Sequence, residues 1–276
     1  MASLLERIRT RAYWQTDLDF ARNNPNRAQH LPFLLLLSFA AAAVDVFSVP
    51  FLGVFTANNT GNIVFLALSA AQLAAIDPND VHPIAAITSL LASWAGSAAS
   101  GQLGYRLGGR KKRYFVVADM VQQSLLVFLV VGLLWGGLIK SGDGRTEYIA
   151  VALLSFSMGC QNVTTKGMNG PPTMPTQVAT GAMADFFSDP RVLAARNKPR
   201  DERIVFIVVF FTGGLVGGLA YRFYKPALCL LLTAVFKLLA SGSLLLLRVQ
   251  GNDEKKEEEE EEGNSSSGAL DGQTKV

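Results

Sequence analysis

Histidine is nearly missing from this sequence: His30 and His82 are the only two in 276 residues. Both fall at the edges of apolar runs, so Ser-His-Asp or Cys-His catalysis has almost no raw material. Cysteine is as scarce, and Cys160 and Cys229 both lie inside apolar runs. Neither a disulfide framework nor zinc-ligand spacing can be drawn from them, which leaves packing as their expected role. No phosphate-binding glycine loop occurs, and Gly142-Asp143-Gly144 reads as turn chemistry. Charge is thin as well, at 17% of residues against 50% hydrophobic. The mean hydropathy of +0.27 leaves too little polar surface to clothe a soluble globule. The expectation is a protein that is not an enzyme, carries no metal or cofactor and binds no nucleic acid.

What the sequence does have is apolar residues in runs of about twenty, the length a helix needs to cross about 30 Å of hydrocarbon. Six full-length runs stand at Leu31–Val54, Pro83–Leu107, Tyr114–Ile139, Tyr148–Val163, Ile204–Tyr221 and Ala227–Leu247. Two shorter pieces, Gly61–Ile76 and Gln177–Phe187, reach only about 24 and 16 Å at ~1.5 Å per residue. Residues 1–30 form a polar arm in which Arg7, Arg9 and Arg11 interleave with Leu4, Leu5, Ile8, Tyr13 and Trp14. That pattern suits a headgroup surface, and equally a mobile arm; it is not a cleavable signal peptide, and its acids argue against a mitochondrial presequence. Residues 249–276 form an acidic, Ser- and Gly-rich tail expected to be disordered. From Gly251 onward nine acids against three lysines leave that tail at −6, so residues 1–250 carry +9.

The basic excess orients the chain, because Lys and Arg in short loops gather on the cytoplasmic side. With six spans and both short pieces dipping in and returning, Arg110–Arg113 and the loop bearing Arg191, Arg196, Lys198, Arg200 and Arg203 fall inside. Both termini are then cytosolic. With eight spans Arg110–Arg113 would fall outside, so six spans and two re-entrant helices are preferred. Arg222 and Lys225 then lie outside, softened by snorkelling.

The chain also repeats itself. Trp94–Arg106 aligns without gaps against Phe210–Arg222, both small-residue faces ending in Tyr-Arg. Upstream, Ala57–Asn62 corresponds to Gln177–Ala182 and Val44-Asp45-Val46 to Gln161-Asn162-Val163. Each half, about 31–139 and 148–248 of a transmembrane domain 31–248, is one span, one short segment and two more spans. Three crossings per half is an odd number, so the halves are inverted, a plan common among secondary transporters.

The Asp45 helix, Thr60-Gly61-Asn62, the Gly159-Cys160-Gln161-Asn162 stretch and Thr180-Gly181 together resemble the YoaK-type family, also called DUF1275, nearest in style to its fungal branch. The hallmarks of that family are an Asp in the first helix, a TGN motif, and a GxQN motif followed by a later TG. The likeness spans roughly residues 31–248 and implies a multi-spanning membrane protein of undefined activity. Gly170-Pro171-Pro172 and Pro175 depart from the pattern by lengthening the stretch between the second-half motifs.

Asp45 is the first candidate site residue, because an ionisable group in mid-helix costs about 2.5–3.5 kcal/mol on insertion scales and is kept where a pathway or partner compensates it. The alternative is a fixed strut bonded to a neighbouring helix. Asn58, Asn59, Thr60 and Asn62, with Gln177 and Thr180, stand where the two short helices begin, and Gln161 and Asn162 are the repeat mates around Asp45. Free N–H groups at such helix starts suit a polar or anionic solute; ordinary capping is the competing role. Asn58 and Asn162 also head glycosylation sequons that a membrane would shield. Pro50 and Gly53 are positioned to break the first span. Gly96, Ser100 and Gly104, and Gly213 with Gly217, suit close helix packing, within the chain or between copies in a homo-oligomer. Lys237 is an intramembrane cation with two readings, pairing with Asp45 or snorkelling. The expected function is transport of a small polar or anionic solute through the bilayer; the alternative is a non-transporting scaffold or assembly factor.

Overall fold

The computed structural model describes residues 10–18, 27–71, 82–142, 144–168 and 175–246. The acidic tail, most of the N-terminal arm, residues 77–81, Asp143 and Gly170-Pro171-Pro172 lie outside them. The chain parts into two units after Leu245, and the second is, apart from Leu246, outside the described residues too.

Regular structure among the described residues is entirely helical. A short turn, α1 (Arg11–Gln15), precedes α2 (Arg27–Leu52), α3 (Asn59–Ala70), α4 (Pro83–Arg106), α5 (Arg113–Trp135), α6 (Gly144–Gly167), α7 (Thr180–Phe187), α8 (Lys198–Phe223) and α9 (Pro226–Leu246). Local chemistry sets the boundaries. Pro50 lies in the last turn of α2 and Gly53 adopts φ +70°, so the two end the helix instead of bending it at mid-span. Pro83 opens α4, and the Asn197 side chain caps α8 by accepting from Arg200 N at 3.2 Å.

Among the described residues five helices are long and apolar enough to cross a bilayer: Leu31–Leu52 of α2, with α4, α5, α8 and α9. Large apolar side chains cover the exterior, among them Leu125 and Leu129 on α5, Phe211, Leu215 and Leu219 on α8, and Leu238 and Leu239 on α9. Gln123, Ser157, Gln161 and Lys237 lie inside, each 0% exposed. A protein turned outward to hydrocarbon has this arrangement, and the molecule is an all-α integral membrane protein. The run at Tyr148–Val163 becomes α6, 24 residues long but more polar than the five. It packs against α2, α4 and α5, so its Ser, Gln and Thr face protein instead of lipid.

The two most extensive helix pairings are α4 with α6 and α2 with α8, and small residues close both. A methyl group on Gly96 would collide with the Phe156 carbonyl, and one on Gly159 with that of Ser93. On the other pair, a methyl at Gly213 would come within 2.5 Å of Phe39 O, and one at Gly217 within 3.0 Å of Ala43 Cα. The Cys160 and Cys229 thiols donate to Gly96 O at 3.3 Å and Ala43 O at 3.2 Å. The small-residue faces are therefore filled by helices of the same chain. Gly96→Val will cost about 1–3 kcal/mol, because a backbone carbonyl cannot yield as a side chain does. Gly132→Val, where nothing lies within 4 Å, is the control and should leave thermal unfolding in detergent nearly unchanged.

Contacts gather the connections at two ends of the bundle. At one end the Tyr13 hydroxyl donates to Leu245 O at 2.8 Å, Lys112 pairs with Asp17 at 3.0 Å, and Arg113 N donates to Thr16 O at 2.9 Å. The buried Arg113 guanidinium also lies 4.2 Å from the Tyr13 ring centre. Part of the basic cluster thus clasps the N-terminal segment. The Arg110 side chain lies against Gly167 at this same end. At the other end Gly53 lies against the His82 ring, and the Ser141 hydroxyl donates to Phe51 O at 3.4 Å. The chain therefore leaves α2 and enters α4 at the same end of the bundle.

Candidate functional site

Asp45 sits seven residues before the end of α2, about 10 Å back along the helix at ~1.5 Å per residue. Its Oδ1 accepts the backbone N–H groups of Thr56 at 2.9 Å and Ala57 at 2.7 Å, and its Oδ2 that of Asn58 at 3.0 Å. The chain after Gly53 therefore doubles back beside α2 to this depth before α3 begins. Asn62, one turn into α3 and fully buried, locks the same loop. Its Oδ1 accepts from Phe55 N at 3.0 Å, and its Nδ2 lies 2.7 Å from Phe55 O, 3.1 Å from Asn59 Oδ1 and 2.9 Å from Ser89 Oγ. The Ser89 hydroxyl in turn meets Ser155 Oγ on α6 at 2.8 Å.

The segment before α7 is tied to α6 in its turn. Gln177 donates through Nε2 to Met158 O at 2.7 Å, and Met158 stands nine residues before the end of α6, about 14 Å back along it. The preceding Thr176 has φ +51°, and Gln177 N closes on Pro175 O at 2.6 Å, a strained three-residue turn for a β-branched residue. Strain of this kind persists where the surroundings enforce it, often beside a binding site.

Both returning segments reach one cavity of about 400 Å³, which opens beside the middle of α4 at Ser93, Trp94 and Ser97. Asn58, Asn59 and Thr60 line it from the first half, and Asn162, Thr165, Lys166, Gln177 and Val178 from the second. Five of the predicted site residues, Asn58, Asn59, Thr60, Asn162 and Gln177, thus converge. Four do not line it. Asp45 and Asn62 stand behind the wall as its fasteners. Gln161 is buried, its Nε2 facing Leu37 O at 3.5 Å and its Oε1 without a partner among the described residues. Thr180 opens α7 as an exposed residue with no cavity contact.

Sequence reasoning missed Lys166, the one charged side chain in the lining among the described residues. Its signal was the i, i+4 spacing from Asn162, which puts both on one helix face. It also missed Asp119, a second buried carboxyl group on a spanning helix. Asp119 Oδ2 accepts from Thr164 Oγ1 at 2.6 Å and from Gln123 Nε2 at 2.7 Å. The Gln123 Oε1 accepts from Lys237 Nζ at 2.9 Å, and Lys237 reaches Ser157 Oγ at 3.1 Å. Both earlier readings of Lys237 are corrected: it neither pairs with Asp45 nor snorkels, because Gln123 and Ser157 supply buried acceptors within reach. Outside the spans, between α7 and α8, the Asn197 amide and the Arg191 backbone N–H hold the Asp189 carboxyl below its usual range. Arg203 closes on it at 3.3 Å.

Among known proteins, residues 33–243 match a family described as a protein of unknown function, DUF1275. No curated protein and no solved structure matches the chain. The family match covers far more than half of the sequence and takes in Asp45, the returning segments and every cavity-lining residue, so this chain belongs to the DUF1275 family.

Proposed function

We propose that this protein is a non-catalytic permease for a small polar or anionic solute, with two inverted halves rocking about the shared cavity. The carrying observation is that the segments leading into both short helices fold back to mid-bundle and line one cavity, the plan of transporters with discontinuous helices at the midplane. Asp45 acts as the fastener of the first segment; Asn58, Asn59, Thr60, Asn162 and Gln177 meet the solute.

The contacts at the two ends support six crossings. Asp17 touches Lys112 and Tyr13 touches Leu245, so two crossings separate the first pair and four more precede Leu245, with α6 counted and α3 and α7 returning. The packing supports the inverted repeat. Gly96 meets Phe156 O and Gly213 meets Phe39 O, and each partner is offset by the same 117 positions that separate Asp45 from Asn162. The gapless Trp94/Phe210 alignment is one residue out of that register. With Arg110–Arg113 and the Arg191–Arg203 loop at the end that holds the N-terminal segment, that end is cytosolic.

Uptake or counterflow in proteoliposomes tests the reading. Asn162→Leu, which removes a cavity amide and no described side-chain bond, will cut flux about tenfold, the loss of roughly 1.4 kcal/mol of binding, with thermal unfolding unchanged. Absence of flux for every small polar or anionic solute tried overturns the permease and leaves a scaffold.

A further inference from the structure

We propose that the solute is an oxyanion, carboxylate or phosphate, gripped by Lys166; this rests on the permease reading and narrows it. Among the described residues Lys166 is the only charged one of the lining, and no described acid faces the cavity. Two buried acids of the bundle are engaged elsewhere. Asp45 is engaged by three backbone amides behind the wall, and Asp119 by Thr164 and Gln123. Lys166 itself has no partner among the described residues.

Lys166 is exposed, and a lysine in the last turn of a helix is ordinarily a solvated charge that complements the helix dipole. Two features set this one apart. It stands one turn from Asn162 on the same face of α6, so an ammonium and an amide enter the cavity together. Across the cavity begins α3, a 12-residue helix whose positive end brings Asn58, Asn59 and Thr60 to the lining. Of its first-turn amides, Asn58 N is taken by Asp45 and Gly61 N by Asn58 O, which leaves those of Asn59 and Thr60. The Asn58 side chain caps nothing. A cation on one wall and amide donors on the other fit an oxyanion and leave a neutral solute without a partner for the charge.

The test is binding of isosteric probes to the full chain in nanodiscs: benzoate against benzamide, acetate against acetamide, and inorganic phosphate. At least one anion will bind about tenfold or more tightly than its neutral counterpart, a margin of roughly 1.4 kcal/mol. Lys166→Gln will erase that margin and Lys166→Arg will keep it. If the amides bind as well as the carboxylates and Lys166→Gln changes nothing, the oxyanion assignment is overturned while the permease reading stands. If no probe binds and proteoliposomes show flux of neutral solutes only, the assignment is again overturned. If there is neither binding nor flux, both readings fall.

Discussion

Asp45→Asn will destabilise the folded protein by about 3 kcal/mol or more and abolish uptake. The Asp45 carboxyl group accepts three backbone N–H bonds from consecutive residues, Thr56 to Asn58. An asparagine has one acceptor oxygen, and its amide nitrogen would confront at least one of those N–H groups. Each lost bond removes about 1 kcal/mol and each buried amide left unsatisfied costs about 1–3 kcal/mol. The segment that then loosens carries Asn58, Asn59 and Thr60 into the cavity. A cysteine placed at Thr60 should therefore label faster in the Asp45→Asn background, alongside a lower thermal midpoint. A residue that only touched solute would behave differently: uptake would fall while the midpoint and the labelling rate held. That second pattern would contradict the fastening role.

Lys237→Met will cost about 3–5 kcal/mol, the usual price of removing one partner from a buried charged network. Gln123 hands the hydrogen bonds across, giving from Nε2 to Asp119 and accepting at Oε1 from Lys237. With Lys237 gone, Gln123 Oε1 and Ser157 Oγ lose their donor, and Asp119 loses the opposite charge at the far end of the chain. Adding Asp119→Asn to Lys237→Met should recover at least half of the loss, since a neutral pair of ends no longer strands a charge. Strictly additive losses in that double-mutant cycle would show that the two ends are not coupled through Gln123.

The sequence discloses elements whose signal is written in run length. Apolar stretches of about twenty residues became long helices, five of them apolar enough to cross a bilayer, and the two shorter pieces became the short helices α3 and α7. The polar residues at their starts were legible because Asn and Thr are unusual within an apolar slab. The rest depended on what packs against what. The partners of Asp45 are main-chain amides, which no side-chain pattern announces. Asp119 lies six residues into its run, where an acid passes for a membrane-edge residue until Thr164 and Gln123 are seen around it. The actual partners of Lys237 were not visible, because Gln123 and Ser157 lie 114 and 80 positions away. Lys166 looked like an ordinary helix-end cation until the cavity placed it beside Asn162. The polarity of α6 lowers its hydropathy, yet it follows from a central position that only packing reveals.

Thiol accessibility in sealed vesicles tests the central claim, that α3 and α7 return without crossing, most directly. Single cysteines are placed at Gln15, Lys112, Arg196, Ser141 and Tyr224 in a chain with Cys160 and Cys229 replaced, and treated with a membrane-impermeant reagent. Gln15, Lys112 and Arg196 will label from one side, and Ser141 and Tyr224 from the other. Labelling of Gln15 and Lys112 from opposite sides would mean that α3 crosses, and a split between Lys112 and Arg196 would mean the same for α7. Either result would remove the shared mid-bundle cavity on which the transport reading stands.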